Sequence, residues 1–331
     1  MPGPSRVVSV MNEFKADLLG REAAQVAVMV QRWRQVEVRL EGQIAALAQE
    51  ATAMGATRGQ IMRMERYMAL LAQTRQQIGS YENYAEQTIS QAQLEWGRLG
   101  MDEAAMAIQE SYWDAGLNVT FDRLPTQAVE RMVGLAGDGS PLFDVLEKRA
   151  LYPEAVQGLT DALVQGVARG WNPTKTASRM ADGLAGGLDK ALTLARTEQL
   201  RVYRVASQDQ YKASGVVTGY RRLSAHDDNV CAGCLAEDGQ ECELDLDFEA
   251  HPNCRCTTVP IVEGVDPPQW TAGGDWFAEQ DEETQRNILG PGRYELWQNG
   301  QVADFRQFAT HTQDETWGGA VVPTPLSELG G

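Results

Sequence analysis

All five cysteines of this 331-residue chain fall between Cys231 and Cys256. The segment reads Cys231-Ala-Gly-Cys234, then Cys242, then His251-Pro-Asn-Cys254-Arg-Cys256. A CxxC pair turns two thiolates to one side of a tight knuckle, where both can reach one tetrahedral ion. The HxxC pair begins 17 residues after Cys234 and supplies a second bite of the same width. Cys231, Cys234 and His251, with Cys254 or Cys256, make the Cys3His set that structural zinc prefers. Cys254 and Cys256 are too close in sequence to serve as two easy ligands, so one of them is a spare or a packing residue. Cys242 lies in an acidic loop and is the outsider.

Disulfides and free thiols are the competing readings. Residues 1–30 lack a signal-peptide apolar core, and the longest apolar runs are too short to span a bilayer. Clustered cysteines in a reducing compartment bind metal more often than they cross-link. A catalytic zinc would need an open coordination position and a nearby general base. No HExxH occurs, and neither His226 nor His251 is followed by the x-Glu of zinc deaminases. The expected ion is structural, and no catalytic residue is assigned.

A knuckle this small needs a body to hold it. The first 115 residues read as long helices. Val26, Trp33, Leu40 and Leu47 recur every seven positions, with Met29, Val36 and Ile44 between them. A break at Met54-Gly55-Ala56 precedes a capping box at Thr57 and Gln60, and a second helix carries Ile61, Met64, Met68, Leu71 and Ile78 on one face. Gly100 and Asp102 suggest a restart before Ala104. This is a helical hairpin whose Met and Leu stripe is core, although the stripe is compatible with an oligomer. Residues 116–140 are loops around a short helix near Thr126–Gly134. Pro153 opens a helix to Gly170, and Asn172-Pro173 caps another that ends near Gly183–Gly187. A longer helix from Leu188 to Ser214 follows, with Lys190, Arg196, Arg201, Arg204 and Lys212 forming a solvated basic face.

Val216–Leu223 and Thr257–Val262 read as short strands on either side of the knuckle. A modest helix spans Asp275–Leu289, and Val321–Gly331 reads as frayed. The expected fold is therefore mainly α with a small α+β C-terminal lobe. It has four segments: long helices (1–120), a helical middle region (121–215), the Cys/His knuckle lobe (216–265) and an acidic extension (266–331). The net charge of −17 is concentrated in residues 226–331, which hold four arginines against 21 acidic residues. That third repels nucleic-acid phosphate. Only residues 151–225 are basic.

Several motifs occur together and in order: Ala195-Arg196-Thr197-Glu198, a helix through Tyr211 to Gly215, His226-Asp227-Asp228-Asn229-Val230-Cys231-Ala232-Gly233-Cys234, Asp238-Gly239, and His251 to Cys256. Together they closely resemble the head-morphogenesis domain of tailed bacteriophages, typified by the F-like minor head protein of phage Mu. Trp276, Gln280, Gln285 to Gly290 and Arg293 are similar to the downstream part of many members. The resemblance covers roughly residues 150–300. It implies a minor virion protein of few copies, inside the head near the portal and in the host cytoplasm during assembly. Its implied partners are the portal or major capsid protein, with weak contact to packaged DNA and no membrane. It also raises a docking role on the lobe for Arg196, Thr197 and Glu198, beside the reading of Arg196 and Glu198 as exposed charges. Asp227 and Asp228 would accept backbone hydrogen bonds in a turn before the knuckle. The alternative is a metal-dependent DNA-processing enzyme with a zinc-braced loop. Three histidines in all, an acidic lobe and no nucleophile–base pair after Val262 count against it.

Overall fold

A computed structural model of the chain describes residues 5–121, 127–314 and 318–329. The fold is mainly helical, with a small C-terminal β region that carries the Cys/His cluster. The elements run α1 (Arg6–Met54), α2 (Arg58–Ile61), α3 (Glu65–Asp114), α4 (Gln127–Glu130), α5 (Leu142–Val145), a π turn (Leu146–Ala150), α6 (Leu151–Ala168), α7 (Pro173–Leu184) and α8 (Gly186–Ser214). Then come β1 (Val217–Leu223), α9 (Ala232–Ala236), β2 (Glu241–Glu243), β3 (Thr257–Val262), α10 (Gly273–Ala278), α11 (Glu282–Gln298), β4 (Ala309–Asp314) and β5 (Gly318–Pro323). Among the described residues no helix is long and apolar enough to cross a membrane.

The chain forms two compact units, one of Met1–Gly20, Gln93–Val133 and Thr197–Gly331, the other of Arg21–Ala92 and Gly134–Arg196. In the second, the α1–α3 hairpin closes on the heptad stripe. Trp33 and Tyr81 meet edge to face at 4.9 Å, and the Tyr81 hydroxyl donates to the Met29 carbonyl at 3.2 Å. The capping box at Thr57 and Gln60 is present, but it caps only the single turn α2; the second long helix begins at Glu65. On α6 and α7, Gly158 and Gly183 let two backbones touch, since a Cβ on Gly183 would lie 2.4 Å from the Gly158 carbonyl.

The first unit holds the lobe. A three-stranded antiparallel sheet of order β2-β1-β3 pairs Tyr220 with Cys242 on one side and with Pro260 on the other. Tyr211 of α8 and Ile108 of α3 pack on Tyr220 and Val262 of this sheet. Val7 and Met11 of α1 form a further cluster with Ala107, Leu223 and Val259. The tail is more ordered than its sequence suggests. β4 and β5 pair antiparallel over Ala309–Asp314 and Gly318–Pro323, so the frayed reading of Val321 onward is corrected; Gly330 and Gly331 lie outside the described residues. The single helix expected over Asp275–Leu289 is two, because Asp281 caps a new helix starting at Glu282, accepting the Thr284 N–H. The short helix expected near Thr126–Gly134 is α4, with Thr126 itself outside the described residues.

α3 also runs unbroken through Gly100, where a restart was expected. Gly100 serves close approach instead: a Cβ there would meet the Tyr203 carbonyl oxygen of α8 at 2.4 Å, and Ser207 Oγ donates to the Gly100 carbonyl at 3.1 Å. Alanine in an open helix stabilises by about 1 kcal/mol over glycine. Here Gly100→Ala is expected to destabilise instead, by about 1–3 kcal/mol from overpacking, as measured by urea unfolding. A stabilised variant would contradict the close crossing of α3 and α8.

Candidate metal centre

The first bite is built by a helix start. Cys231 is extended (φ −81°, ψ 148°) and caps α9, its Sγ accepting the Cys234 N–H at 3.2 Å. Both thiols therefore sit at one end of a single helical turn. Gly233 between them is pressed against β5, where a Cβ would lie 2.6 Å from the Val322 carbonyl. The second bite is a tight turn in which the Cys254 N–H donates to the His251 carbonyl at 3.0 Å. Asn253 occupies its left-handed position (φ 62°), which asparagine tolerates better than most residues.

The two bites converge. His251 Nε2 lies 3.1 Å from Cys231 Sγ and 3.2 Å from Cys234 Sγ, while Cys234 Sγ lies 3.7 Å from Cys254 Sγ. Ligands on a tetrahedral zinc ion are spaced about 3.8 Å apart for two sulfurs and about 3.5 Å for sulfur and nitrogen. The donor set is thus geometrically compatible with a structural zinc site. It comprises two overlapping groups, Cys231–Cys234–His251 and Cys234–Cys254–Cys256, each with its donor atoms within 4.8 Å of one another. All five cysteines are free thiols. Cys242, on β2, belongs to neither group. His251 presents Nε2 to the thiols: its Nδ1 is 2.7 Å from the Pro252 carbonyl, which can only accept, so Nδ1 carries a proton and Nε2 is the nitrogen left to face the sulfurs.

The electrostatics favour thiolates at Cys231 and Cys254 and thiols at Cys234 and Cys256. A hydrogen bond from Cys234 lowers the Cys231 thiol to about 5 against the opposing effect of burial. Bonds from Cys234 and Cys256 hold Cys254 well below its ordinary value. Cys234 and Cys256, as the donors, are pushed up. Burial works to lower His251, but its bond to Cys231 and the charges of Cys254 and Cys231 raise it to about 9.

Two arginines lie behind the cluster. Arg204 and Arg222 are each only 3% exposed. Arg204 Nη1 donates to the carbonyls of Cys254 (3.3 Å) and Cys256 (3.2 Å), and Arg222 Nη2 donates to the Glu249 carbonyl at 3.1 Å. Both guanidiniums lie on the Phe248 ring, with Cζ 5.0 and 4.0 Å from its centroid. Neither has a carboxylate at ion-pair distance among the described residues. Buried charge requires compensation. Here the nearby negative groups are the thiols: burial lowers Arg204 overall, against the charges of Cys254 and Cys256, whereas at Arg222 the thiol charges outweigh burial and raise it.

The residues assigned to docking separate. Thr197 Oγ1 accepts the Asn253 N–H at 3.1 Å, so α8 touches the second bite directly. Glu198 is fully buried and binds Arg201 of the same helix at 2.7 Å. Arg196 belongs to the other unit and pairs with Glu22 at 2.5 Å. Asp227 accepts the Asn229 N–H at 2.9 Å and both guanidinium nitrogens of Arg255 at 2.6 and 2.7 Å, which ties the loop before the first bite to the second. Asp228 is exposed. The basic-face reading of α8 fails at Arg204, whose spacing from Arg196 and Arg201 suggested solvent.

Asp238 organises the neighbouring loops. Its buried carboxylate accepts the Ser224 N–H at 2.7 Å and the Trp270 indole N–H at 3.1 Å, and it bonds His226 Nε2 at 3.0 Å. His226 is stacked on Trp276 at 4.9 Å. Lys15 of α1 reaches the Ser224 carbonyl at 2.5 Å. Phe277, Leu289, Phe305 and Phe308 of the tail complete a core with Leu235, Cys234, Cys254 and Cys256. The CxxC…HxxC spacing revealed the bites, and Asp238-Gly239 stood out as a motif without a role; nothing local marked Arg204 or Arg222 as buried.

Comparison with known proteins adds a family. Residues 157–259, or 31% of the chain, match the family model described as Phage Mu protein F like protein. The chain is also 26% identical over 133 residues to a protein of Enterococcus faecalis named NAD(+)–arginine ADP-ribosyltransferase EFV. That alignment covers 34% of this chain and 27% of the relative, so the chain spans about a quarter of the relative's length. No solved structure matches the chain.

Arg204→Met keeps the stem and removes the charge. It is expected to cost about 3 kcal/mol in equilibrium unfolding, within the range for breaking a buried charge contact. Arg179→Met, at an exposed pair with Asp182, is expected to cost under about 1 kcal/mol. Equal effects would mean that Arg204 compensates no buried charge.

Proposed function

We propose that this chain is a minor structural protein of a tailed-phage head whose C-terminal half is stabilised by a structural zinc ion. One observation carries the reading: the segment matching the phage Mu F-like family contains both bites, the α8 residues docked on them and both buried arginines. Cys231, Cys234 and His251 would hold the ion with Cys254, whose Sγ lies 3.7 Å from that of Cys234, as fourth ligand. Cys256 then packs behind the centre. A bound zinc supplies cross-linking between the bites, with apparent binding energies of about 10–16 kcal/mol in small zinc domains. Four protein ligands leave no position for a reacting water, so the reading is non-enzymatic.

The protein acts from inside the head, at the portal or inner shell, and is present in the host cytoplasm during assembly. Its partners are proteins rather than packaged DNA. The net charge of −17 supports this, because contact with phosphate would be weak and salt-sensitive.

The purified chain is expected to carry one zinc per molecule by elemental analysis. Cys231→Ser with Cys234→Ser should lose it and lower the melting temperature of the lobe. The wild-type chain, and not this variant, should co-sediment with portal rings of the same phage. A metal-free chain of unchanged stability would contradict the zinc assignment. Retention on no head component, or plasmid cleavage with magnesium abolished by His226→Ala, would contradict the structural role.

A further inference from the structure

In the second unit a groove of about 890 Å³ lies between α1 and α7. Buried Ile44 and Leu184 form its floor, Ala45, Ala177 and Ala181 line it with Gln49, Thr174 and Ser178, and Val38 on its edge is 69% exposed. Glu37, Glu41 and Asp182 line its rim, and no basic residue lines it. We propose that this groove is a docking site for an amphipathic helix of another protein, one with lysine or arginine flanking a narrow face of small apolar residues. The reading is independent of the zinc centre and of the head-protein role.

Shape and charge together select this occupant. The groove walls span residues 37–49 and 173–185, about 18–20 Å at the helical rise, which is the length of about three turns. Alanines lining a groove let a third helix approach two others closely along their ridges. The carboxylates above the floor then meet the cations that flank such a helix. Glu37 is half-buried, and burial pushes its carboxyl upward against the opposing effects of Trp33 and Arg34, so an incoming cation would relieve a partly desolvated charge. Asp182 pairs with Arg179 at 3.3 Å in a largely exposed contact that opens at little cost. A second copy of the chain is disfavoured as occupant by the net charge of −17 on each molecule. Nucleic acid and anionic lipid carry the wrong sign for this rim.

Three fluorescent 14-residue peptides test the proposal against the full chain by anisotropy: an amphipathic Leu/Ala/Lys helix, its Glu-for-Lys counterpart, and a scrambled Lys peptide of equal charge. The amphipathic Lys peptide is expected to bind at least tenfold more tightly than either control, and to weaken as salt rises. Ala181→Trp, which fills the groove, should abolish binding. Glu37→Lys with Glu41→Lys should transfer preference to the Glu peptide; both substitutions lie at the rim, so this variant decides the matter if Ala181→Trp misfolds by circular dichroism. Equal binding of the scrambled peptide, binding unchanged in a folded Ala181→Trp variant, or no binding to the wild type would overturn the proposal.

Discussion

Sulfur atoms crowded to 3.7 Å inside a protein cannot all carry charge unless a cation stands among them. This constraint governs the lobe. Protons satisfy part of it, as the unequal pull on Cys231 and Cys234 indicates. Two buried guanidiniums with no carboxylate partner among the described residues satisfy another part. Backbone carbonyls and the Phe248 ring hold both guanidiniums, and a negative cluster beside them would stabilise them further. A tetrahedral metal–thiolate centre would be such a cluster, since three thiolates and an imidazole on a divalent ion leave one negative charge. A disulfide-linked or fully protonated cluster would withdraw that part of the compensation.

Other contacts of the lobe follow from the same centre. Thr197 and Arg204 lie two turns apart on α8 and hold the second bite by its backbone, at Asn253, Cys254 and Cys256. Asp227 and Arg255 link the approach to the first bite with the exit from the second. The tail packs its aromatic residues against the back of the cysteines, and Gly233 lies flat against β5. In consequence the acidic C-terminal segment is part of the lobe's core rather than an appendage. The motif match ends at residue 259, but the packing that supports its cysteines continues to Phe308.

Sequence reasoning read best where spacing alone determines geometry. The two bites, the heptad stripe through Trp33 and Leu40, the Asn172 cap and the two strands beside the knuckle are all local patterns, and all appear in the structure. What it misread depends on partners distant in sequence. Gly100 looks like a helix breaker until Tyr203 is placed against it. Arg204 looks solvent-facing until the carbonyls of a turn 50 residues later close over it. The last eleven residues look frayed because the hairpin partner of β5, and the lobe it covers, cannot be inferred from Val321 and Val322 alone. Arg196, Thr197 and Glu198 were grouped by motif, but neighbouring positions on a helix point in different directions: Arg196 pairs with Glu22, Glu198 with Arg201, and Thr197 accepts the Asn253 N–H of the second bite.

The most direct test of the account is zinc K-edge X-ray absorption on the purified full-length chain. The account predicts a four-coordinate first shell of three sulfurs at about 2.3 Å and one imidazole nitrogen at about 2.0 Å. A shell dominated by oxygen, or a purified chain that carries no zinc and whose cysteines are paired as disulfides, would contradict it.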